Sequence, residues 1–349
     1  MSRLIRVQQV LVEAEELISL LIFGLITMIA DLLDLWSPAA GGICRAIGLV
    51  LFIGCIICIL HQRTRVLAVP LLFTEEINRQ NARSMFERFV DVAGLRKSIR
   101  VIESSSPLRQ TDLVITLNRP NPRNSPDPGV WKYAWEGLLQ EWEREVDQRL
   151  GRKLRCYHIL PHVPLPLSFA LGASVGLRRR VILYHHQPKQ EEIFCVLDLS
   201  EDPRELFQLP SKAQIKAPEQ YPPNLQILPL KNRLILHLLI TERHLSSFQH
   251  QIQRHPDHTE ADSVILAYQE TLNPKVSWLP YVQHLVHAAR PLLNRYSRVD
   301  LCLLCPSAIA FALGMAFSRT PFITVCDWQH SRYVPVFSLS EVERRLPFD

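Results

Sequence analysis

Few side chains in this sequence have the spacing that catalysis requires. Gly172-Ala173-Ser174-Val175-Gly176 matches the GxSxG pattern of a nucleophile elbow. That elbow must form a sharp strand-to-helix turn, whereas this segment falls at the end of a predicted helix, where small residues favour a helix stop. The sequence contains no glycine-rich phosphate loop of the GxGxxG or GxxxxGKS/T type and no HExxH motif. These patterns predict no catalytic residue and favour a protein that binds a ligand.

Cysteine and histidine side chains are the residues that a soft metal would need. Cys302 and Cys305 have CxxC spacing, but no second pair of ligands accompanies them and both fall in a predicted strand. The 13 histidines are scattered and offer no convincing ligand set. The 8 cysteines therefore indicate buried apolar positions in a reducing compartment, and the sequence predicts neither a metal nor a cofactor.

A repeated unit points to binding instead. Phe311-Ala312-Leu313-Gly314 repeats Phe169-Ala170-Leu171-Gly172 at an offset of 142 residues. Other positions that coincide at this offset are Pro306 with Pro164, Val325 with Leu183, and Gln329 with Gln187. An internal repeat of a whole supersecondary unit predicts two related lobes.

Each copy of the unit is predicted to contain a strand, a helix and two further strands. The run Val299–Cys305 is too short and too uniformly apolar for a surface helix and predicts a buried strand. Pro306-Ser307 begins a helix that extends to Phe317. The other predicted elements are strand 322–326, a polar turn at 327–332 and strand 333–339, and in the first copy strands 154–160, 181–184 and 193–199 around a helix that ends at Gly172. Both helices begin at the carboxyl end of a strand.

Ligands of open α/β sheets bind beyond the carboxyl ends of the strands, where helix N-termini present free N–H groups. Two lobes would place two such ends side by side, together with Thr241 and Glu242 after the strand Arg233–Ile240. Nearby aromatic rings could stack on bases, so the predicted ligand is a small polyanion that carries bases. The candidate ligand-binding residues are Pro164, Leu165, Tyr184, Thr241, Glu242, Pro306, Ser307, Asp327, Trp328 and Tyr333. Arg178–Arg180 is predicted either as a solvated turn or as an anion contact.

Two apolar runs near the N-terminus predict a membrane hairpin. The chain has 349 residues, of which 47% are hydrophobic, and a net charge of +5. The runs at about 17–36 and 43–60 approach the roughly 20 residues that cross a bilayer, although a signal peptide with a cleavage site near Ala39-Ala40 is the alternative. Basic residues before the first run and after the second predict that both termini are cytoplasmic. Asp31, Asp34 and Arg45 would lie near the outer end and are the candidates for membrane function, unless they only reach the interface.

The middle of the chain has an ordinary composition. A strand is predicted at 66–73, a helix at 81–92, and strands at 99–103 and 112–117, followed by a proline-rich break at 119–129 and an amphipathic helix at 131–150. A helical stretch is also predicted at 278–296. The predicted division is a transmembrane hairpin at 1–65, a linker or small α/β segment at 66–130, and a domain at 131–349 with lobes at about 131–210 and 225–349.

The C-terminal residues resemble a known family. Leu303–Gly314, followed by Val325-Cys326-Asp327-Trp328 and Tyr333-Val334-Pro335-Val336, is similar to the C-terminal signature of the SAVED domain. The first lobe keeps less of this motif and has no Tyr-x-Pro. The resemblance covers roughly 131–349, and the two-span N-terminus resembles membrane-anchored SAVED effectors.

The resemblance implies both a fold and a function. The expected fold class is α/β, with an N-terminal two-helix transmembrane hairpin followed by a cytoplasmic domain of two fused CARF-like Rossmannoid lobes. SAVED proteins sense cyclic oligonucleotides in bacterial CBASS antiphage systems, so a cyclic di- or trinucleotide is the expected ligand and no nucleic acid polymer is expected. Binding would drive self-association and cluster the hairpins in the lipid bilayer of the inner membrane, which would cause abortive infection.

Two other functions stay open at this point. One is a membrane-anchored hydrolase that degrades or is regulated by the nucleotide, and the other is a structural membrane protein whose lobes bind another protein.

Overall fold

Two mixed β-sheets form the framework of the protein. The computed structural model describes residues 66–76, 78–117, 122–125, 127–150, 155–188, 190–210, 215–222, 231–241, 255–257, 259–320 and 322–343. The first sheet contains β1 (Leu67–Thr74), β2 (Val114–Thr116), β3 (Arg155–His162), β4 (Arg180–Gln187) and β5 (Glu192–Leu199) in the order β2-β1-β3-β4-β5. Its strands are parallel except β5, which forms an antiparallel hairpin with β4.

The second sheet repeats this order and adds one strand. It contains β6 (Glu219–Tyr221), β7 (Arg233–Ile240), β8 (Asp262–Tyr268), β9 (Arg298–Leu304), β10 (Ile323–Gln329) and β11 (Arg332–Ser338) in the order β11-β10-β9-β7-β8-β6. Strands β8, β7, β9 and β10 are parallel, whereas β11 and β6 are antiparallel to their neighbours. The order β8-β7-β9-β10-β11 matches β2-β1-β3-β4-β5, so the repeat seen in the sequence corresponds to two sheets of one topology.

Helices cover these sheets. They are α1 (Arg79–Val92), α2 (Arg96–Ser105), α3 (Pro128–Glu141), α4 (Leu165–Val175), α5 (Leu279–Leu293), α6 (Ser307–Phe317) and α7 (Leu339–Glu343). Helix α3 continues through a π-helical segment, Trp142–Asp147, into the short α-helical turn Gln148–Leu150. Central strands such as β7 are buried over almost their whole length, which is why they appear in the sequence as continuous apolar runs without alternation.

The two lobes meet through the helix pair α4 and α6, which pack directly on each other. A Cβ atom on Gly172 would lie 1.9 Å from the Phe311 carbonyl oxygen, and one on Gly314 would lie 2.0 Å from the Phe169 carbonyl oxygen. The two contacts are equivalent because each pair is related by the 142-residue offset. Glycine is required at both positions, since any side chain would collide with the facing backbone.

Strands β1 and β2 lie in the same sheet as β3, β4 and β5. The segment 67–116 therefore contributes two strands to the first sheet, while the division into domains at 65 and 130 stays a prediction. One element differs from the sequence-based expectation, since 99–103 belongs to helix α2 and not to a strand. The expected turn at 327–332 also differs, because strand β10 extends to Gln329.

The predicted fold class is wrong in its membrane part. In the residues that the structure describes, no helix is both long and apolar enough to cross a bilayer. Helix α5 has 15 residues and rises only about 22 Å at 1.5 Å per residue, against a hydrocarbon core of about 30 Å. The helical run from 128 to 150 is longer but carries charged residues along its length.

The prediction of a multi-pass inner-membrane protein is corrected for the same reason. The fold supported by the structure is mixed α/β. The predicted hairpin at 1–65, with Asp31, Asp34 and Arg45, lies outside the described residues.

Candidate functional site

A cavity of about 300 Å³ opens where the carboxyl ends of strands from both sheets meet. The first lobe contributes the last residues of strand β4. The second lobe contributes the end of β7, the loop after β8 and the start of α6. The residues that line the cavity are His185, Gln187, Ile240, Thr241, Glu270, Thr271, Leu272, Pro274, Trp278 and Pro306. The cavity therefore depends on both lobes.

Trp278 fixes the loop between β8 and α5 against the first lobe. Its backbone N–H donates to the Val196 carbonyl of β5 at 2.7 Å, and its indole Nε1–H donates to the Asn273 carbonyl at 2.9 Å. The indole is buried and lies 5.0 Å, between ring centroids, from His185 at the end of β4. Trp278 thus holds one lobe's loop against the other lobe's strand at the wall of the cavity.

Thr241 and Pro306 place backbone polar groups at the same edge. The Thr241 N–H donates to the Tyr268 carbonyl at 3.0 Å, which extends the β7–β8 ladder to the end of the strand. The Pro306 carbonyl accepts from the N–H groups of Ile309 and Ala310, which starts helix α6 at the cavity wall. The first N–H groups of a helix have no intrahelical acceptor, and together with the helix dipole they favour a negative charge.

The N-termini of α4 and α6 are linked to each other. The Ser168 hydroxyl donates to the Ser307 carbonyl at 2.7 Å, so the two helix starts are fixed side by side. Pro164 is the N-cap residue of α4, and Leu165 is its first residue. This arrangement brings together the two helix starts that the sequence predicted at one edge.

His185 and Gln187 are the polar groups that the first lobe supplies. Burial, with smaller contributions from the neighbouring His186 and His162, lowers the pKa of His185 to about 4. The imidazole is therefore neutral at physiological pH. The Gln187 Oε1 atom is buried and has no hydrogen-bond partner among the described residues. An unpaired buried acceptor is costly, and it would be satisfied by a donor on a ligand.

Gln329, the residue of the second lobe that matches Gln187 in the repeat, does not line the cavity. Gln329, at the end of β10, donates from Nε2 to Asp327 Oδ2 at 3.1 Å and approaches the Pro122 carbonyl at 3.5 Å. Burial raises the pKa of Asp327, while its hydrogen bond to Gln329 and the nearby Arg123 oppose that rise. Each hairpin end thus reaches across to the other lobe.

The structure separates the predicted ligand-binding residues into groups. Thr241 and Pro306 line the cavity, and Pro164, Leu165 and Ser307 lie at the adjacent helix starts. Tyr184 does not join them, because it is buried against Phe89 and its hydroxyl pairs with His158 Nδ1 at 2.9 Å. Asp327 does not line the cavity, because it pairs with Gln329 near Arg123 of the first lobe. Trp328 and Tyr333 make an edge-to-face contact, with ring centroids 4.8 Å apart, at the end of the β10–β11 hairpin. Glu242 lies outside the described residues.

Several lining residues were not singled out from the sequence. Glu270, Thr271 and Trp278 follow β8, a strand that the sequence analysis did not assign. Gln187 carried a usable signal, since it coincides with Gln329 in the repeat. His185 had none, because adjacent histidines have no typical function in a strand.

A larger cavity of about 570 Å³ lies at the outer edge of the first sheet. Its wall includes Arg79 and Arg83 from α1 and Thr116 from β2, but also the carboxylates of Glu141 and Glu145. It is built from one lobe only, and none of the predicted ligand-binding residues lines it. We therefore place the candidate site in the inter-lobe cavity.

The fold is similar to that of solved receptors. No protein-family model matches the chain, and no curated protein matches it significantly. An Acinetobacter baumannii Cap4 SAVED/CARF-domain containing receptor, solved with the cyclic trinucleotide 2′3′3′-cAAA, matches with a TM-score of 0.51 and 12% identity over 82% of this chain and 56% of that chain. The Acinetobacter baumannii receptor with the cyclic trinucleotide 3′3′3′-cAAA matches with a TM-score of 0.49 and 15% identity, over 82% of this chain and 55% of that chain. A Cap4 SAVED/CARF-domain containing receptor from Moraxella osloensis matches with a TM-score of 0.48 and 14% identity, over 82% of this chain and 54% of that chain.

The first of these comparisons, with a TM-score of 0.51, confirms the SAVED-type prediction at the level of fold. This chain spans little more than half the length of those receptors. What they bind is a property of those proteins, and it supports only a proposal here.

Proposed function

We propose that this protein is a sensor that binds a cyclic oligonucleotide in the inter-lobe cavity, as part of a CBASS-type antiphage system. The observation that carries the proposal is the position of the cavity: both lobes line it, at the strand carboxyl ends and beside the start of α6, in a fold similar to that of a SAVED/CARF receptor. Binding sites in open α/β sheets lie at such edges.

The cavity chemistry suits part of a nucleotide ring. A phosphate would accept hydrogen bonds from the first turn of α6, where the helix dipole favours an anion. Gln187, Glu270 and Thr271 would pair with base edges, and the neutral His185 beside Trp278 would contact a base face or edge. Since about 300 Å³ is at the lower limit of typical small-molecule sites, one nucleotide would fill the cavity and the others would lie outside it.

The proposed response is self-association that leads to abortive infection. A ligand that contacts both lobes would stabilise one arrangement of the α4–α6 pair, and it would thereby select one interface between copies of the chain. The protein is proposed to be a sensor and not an enzyme, with a cyclic di- or trinucleotide as ligand and no cofactor in the ligand site.

A thermal-shift screen of the full chain with cyclic di- and trinucleotides, including 2′3′3′-cAAA, tests the proposal. One compound is expected to raise the melting temperature in a concentration-dependent manner, because a ligand of the folded state stabilises it by mass action. Recovery of the ligand intact by chromatography would favour a sensor, whereas cleavage products would favour the hydrolase. A screen in which no cyclic nucleotide changes the melting temperature would contradict the proposal.

Two variants locate the binding. Gln187→Ala is expected to weaken the active compound at least tenfold in calorimetric titration, which corresponds to about 1.4 kcal/mol. Gln190→Ala, on the exposed turn after β4, is the matched control and should bind as the wild type does. Light scattering with the bound compound then tests self-association, and an unchanged particle size would remove that part of the proposal.

A further inference from the structure

A cluster of soft metal ligands is buried in the second lobe, on the sheet face opposite to α5 and α6. His237 on β7, Cys302 on β9 and Cys326 on β10 are direct neighbours across three parallel strands. Paired residues of parallel strands point to the same face. Their side chains therefore form one row, and His255, from the segment between β7 and β8, lies against it.

The donor atoms of this cluster are close to each other. The His255 Nε2 atom lies 3.8 Å from Cys326 Sγ and 3.5 Å from Asp300 Oδ2. The ligand atoms of His255, Cys302 and Cys326 all lie within 4.8 Å of one another. A tetrahedral zinc ion with bonds of about 2.0–2.3 Å sets its ligand atoms roughly 3.3–3.8 Å apart, so modest side-chain shifts would bring these three donors into the range that zinc requires.

Burial makes the cluster unusual for a hydrophobic core. His255, Asp300, Cys302 and Cys326 are all at most 3% exposed. A core that needed only apolar contacts would not contain an imidazole, a carboxylate and two thiols in contact, because polar groups cost free energy when they are removed from water. The neighbouring His237 is also buried, and its Nε2 atom has no hydrogen-bond partner among the described residues.

The surroundings resemble the outer shell of a metal site. Arg233 donates from Nε to Asp300 Oδ2 at 2.7 Å, and its Nη2 atom lies 2.6 Å from the same oxygen. Arg233 Nη2 also pairs with Asp257 at 2.7 Å. The carboxylates that ligate metals are usually held by such partners, which fix their orientation.

We propose that His255, Cys302 and Cys326 bind one zinc ion, with the Asp300 carboxylate turned toward them as the fourth ligand. Asp300 now lies in a group with His255 and Asp257. Binding through His255 Nε2 places the imidazole proton on Nδ1, so the present 3.2 Å hydrogen bond from the Asp257 N–H to Nδ1 would be given up. Two thiolates and an imidazole select zinc over the hard cations magnesium and calcium, which prefer oxygen ligands. The site is closed to solvent, so the role is structural. The metal fixes the segment that contains His255 to strands β9 and β10, next to the ring of Tyr333, which contacts His255.

The spacing of the cysteines in the sequence is misleading for this site. The CxxC pair Cys302 and Cys305 drew attention, but Cys305 lies beyond the end of β9, and it is not part of the cluster. The pair that converges is Cys302 with Cys326, which are 24 positions apart and become neighbours only through the β9–β10 register.

Metal analysis of the full chain, purified from zinc-supplemented cultures without chelators, tests the proposal. One zinc ion per chain is expected. Cys302→Ala and Cys326→Ala should each lose at least nine-tenths of the zinc, while Cys156→Ala, which removes a buried cysteine of the first lobe, should retain it. Less than a tenth of an equivalent of zinc in the folded wild-type protein would overturn the proposal.

A second measurement does not depend on the stability of the variants. Wild-type protein produced with cobalt in place of zinc should show thiolate-to-cobalt charge-transfer absorption and the intense visible bands of tetrahedral cobalt. Peptide mapping under non-reducing conditions should find Cys302 and Cys326 as free thiols once the metal is removed. A cobalt-loaded protein without the charge-transfer band, or a native Cys302–Cys326 disulfide, would contradict zinc binding.

Discussion

Asp147 shows how much a single side chain connects in the first lobe. At the end of the π-helical segment, it pairs with Arg155 of β3 at 2.7 Å and with Arg179 at 2.7 Å, and it accepts a hydrogen bond from the Tyr157 hydroxyl. The carboxylate is only 11% exposed. Arg179 is therefore engaged in a buried network, and of the two predictions for Arg178–Arg180, the anion contact has no support from this residue.

Asp147→Ala is expected to lower the free energy of unfolding by about 3 kcal/mol, because it leaves two largely buried guanidinium groups without their shared partner. Urea denaturation followed by circular dichroism measures this loss. Glu87→Ala is the control, since Glu87 pairs with Arg83 on the exposed face of α1 and should contribute less than about 1 kcal/mol. A loss for Asp147→Ala as small as the control's would show that the network is not stabilising.

Buried histidines predict a loss of stability in acid. Burial lowers the pKa of His158 from 6.5 to about 4, and Asp198 opposes the shift only in part. As the pH falls below 6.5 the unfolded chain binds a proton that the folded protein does not bind until about pH 4. The stabilisation is thus complete above pH 6.5 and is lost progressively toward pH 4.

His158→Gln removes this linkage and can keep the hydrogen bond to Tyr184. Between pH 7 and pH 5, the free energy of unfolding should fall by about 2 kcal/mol less in the variant than in the wild type. His287→Gln, on the exposed side of α5, is the matched control for the loss of a histidine side chain and should change the free energy of unfolding at pH 7 by less than about 0.5 kcal/mol. Identical slopes for His158→Gln and the wild type would show that His158 is already accessible to protons in the fold.

At the scale of elements, the α4–α6 pair defines how the lobes join. The close approach at Gly172 and Gly314 places the backbone of each helix against the other, and the sequence signalled this contact by repeating Phe-Ala-Leu-Gly at the two positions. Apolar residues cover all sides of both helices because each is buried between two sheets.

Gly172→Ala and Gly314→Ala are each expected to destabilise the protein by about 1–3 kcal/mol or more, because the new methyl group would meet a carbonyl oxygen of the facing helix and not a mobile side chain. Thermal denaturation measures the effect. Gly129→Ala, in the first turn of α3, is the matched control, since its Cβ would meet only the Asp127 side chain at 3.2 Å, and its effect should be much smaller. Equal effects at the three positions would contradict the proposed close packing.

Most elements were predictable from the sequence, and the failures have physical causes. In α2, Ile99 and Ile102 are buried while Val101 is 48% exposed, which is a helical spacing that a short apolar run conceals. The β10–β11 turn is His330-Ser331, with φ of 48° and 63°, and it lacks the Asn-Gly signal that usually marks such a hairpin. The strand therefore extended further than its polar composition indicated.

At the scale of the whole molecule, the position of the site was predictable but its lining was not. The repeat and the two proline-led helix starts located the carboxyl edge, and Thr241 and Pro306 do line the cavity. Trp278 and His185 could not be found in this way, because their contact depends on how one lobe's loop packs on the other lobe's strand. The stacking role predicted for Tyr184 did not anticipate that its ring completes the core of the first lobe.

The central claim is that the ligand binds between the lobes and not at the larger cavity of the first lobe. Amide hydrogen exchange, measured by mass spectrometry with and without the cyclic nucleotide that stabilises the protein most, tests it directly. We expect protection in peptides from both lobes, at the end of β4, at the end of β7, in the loop between β8 and α5, and in the first turn of α6. Protection confined to α1 and β2, around Arg79 and Thr116, would contradict the account.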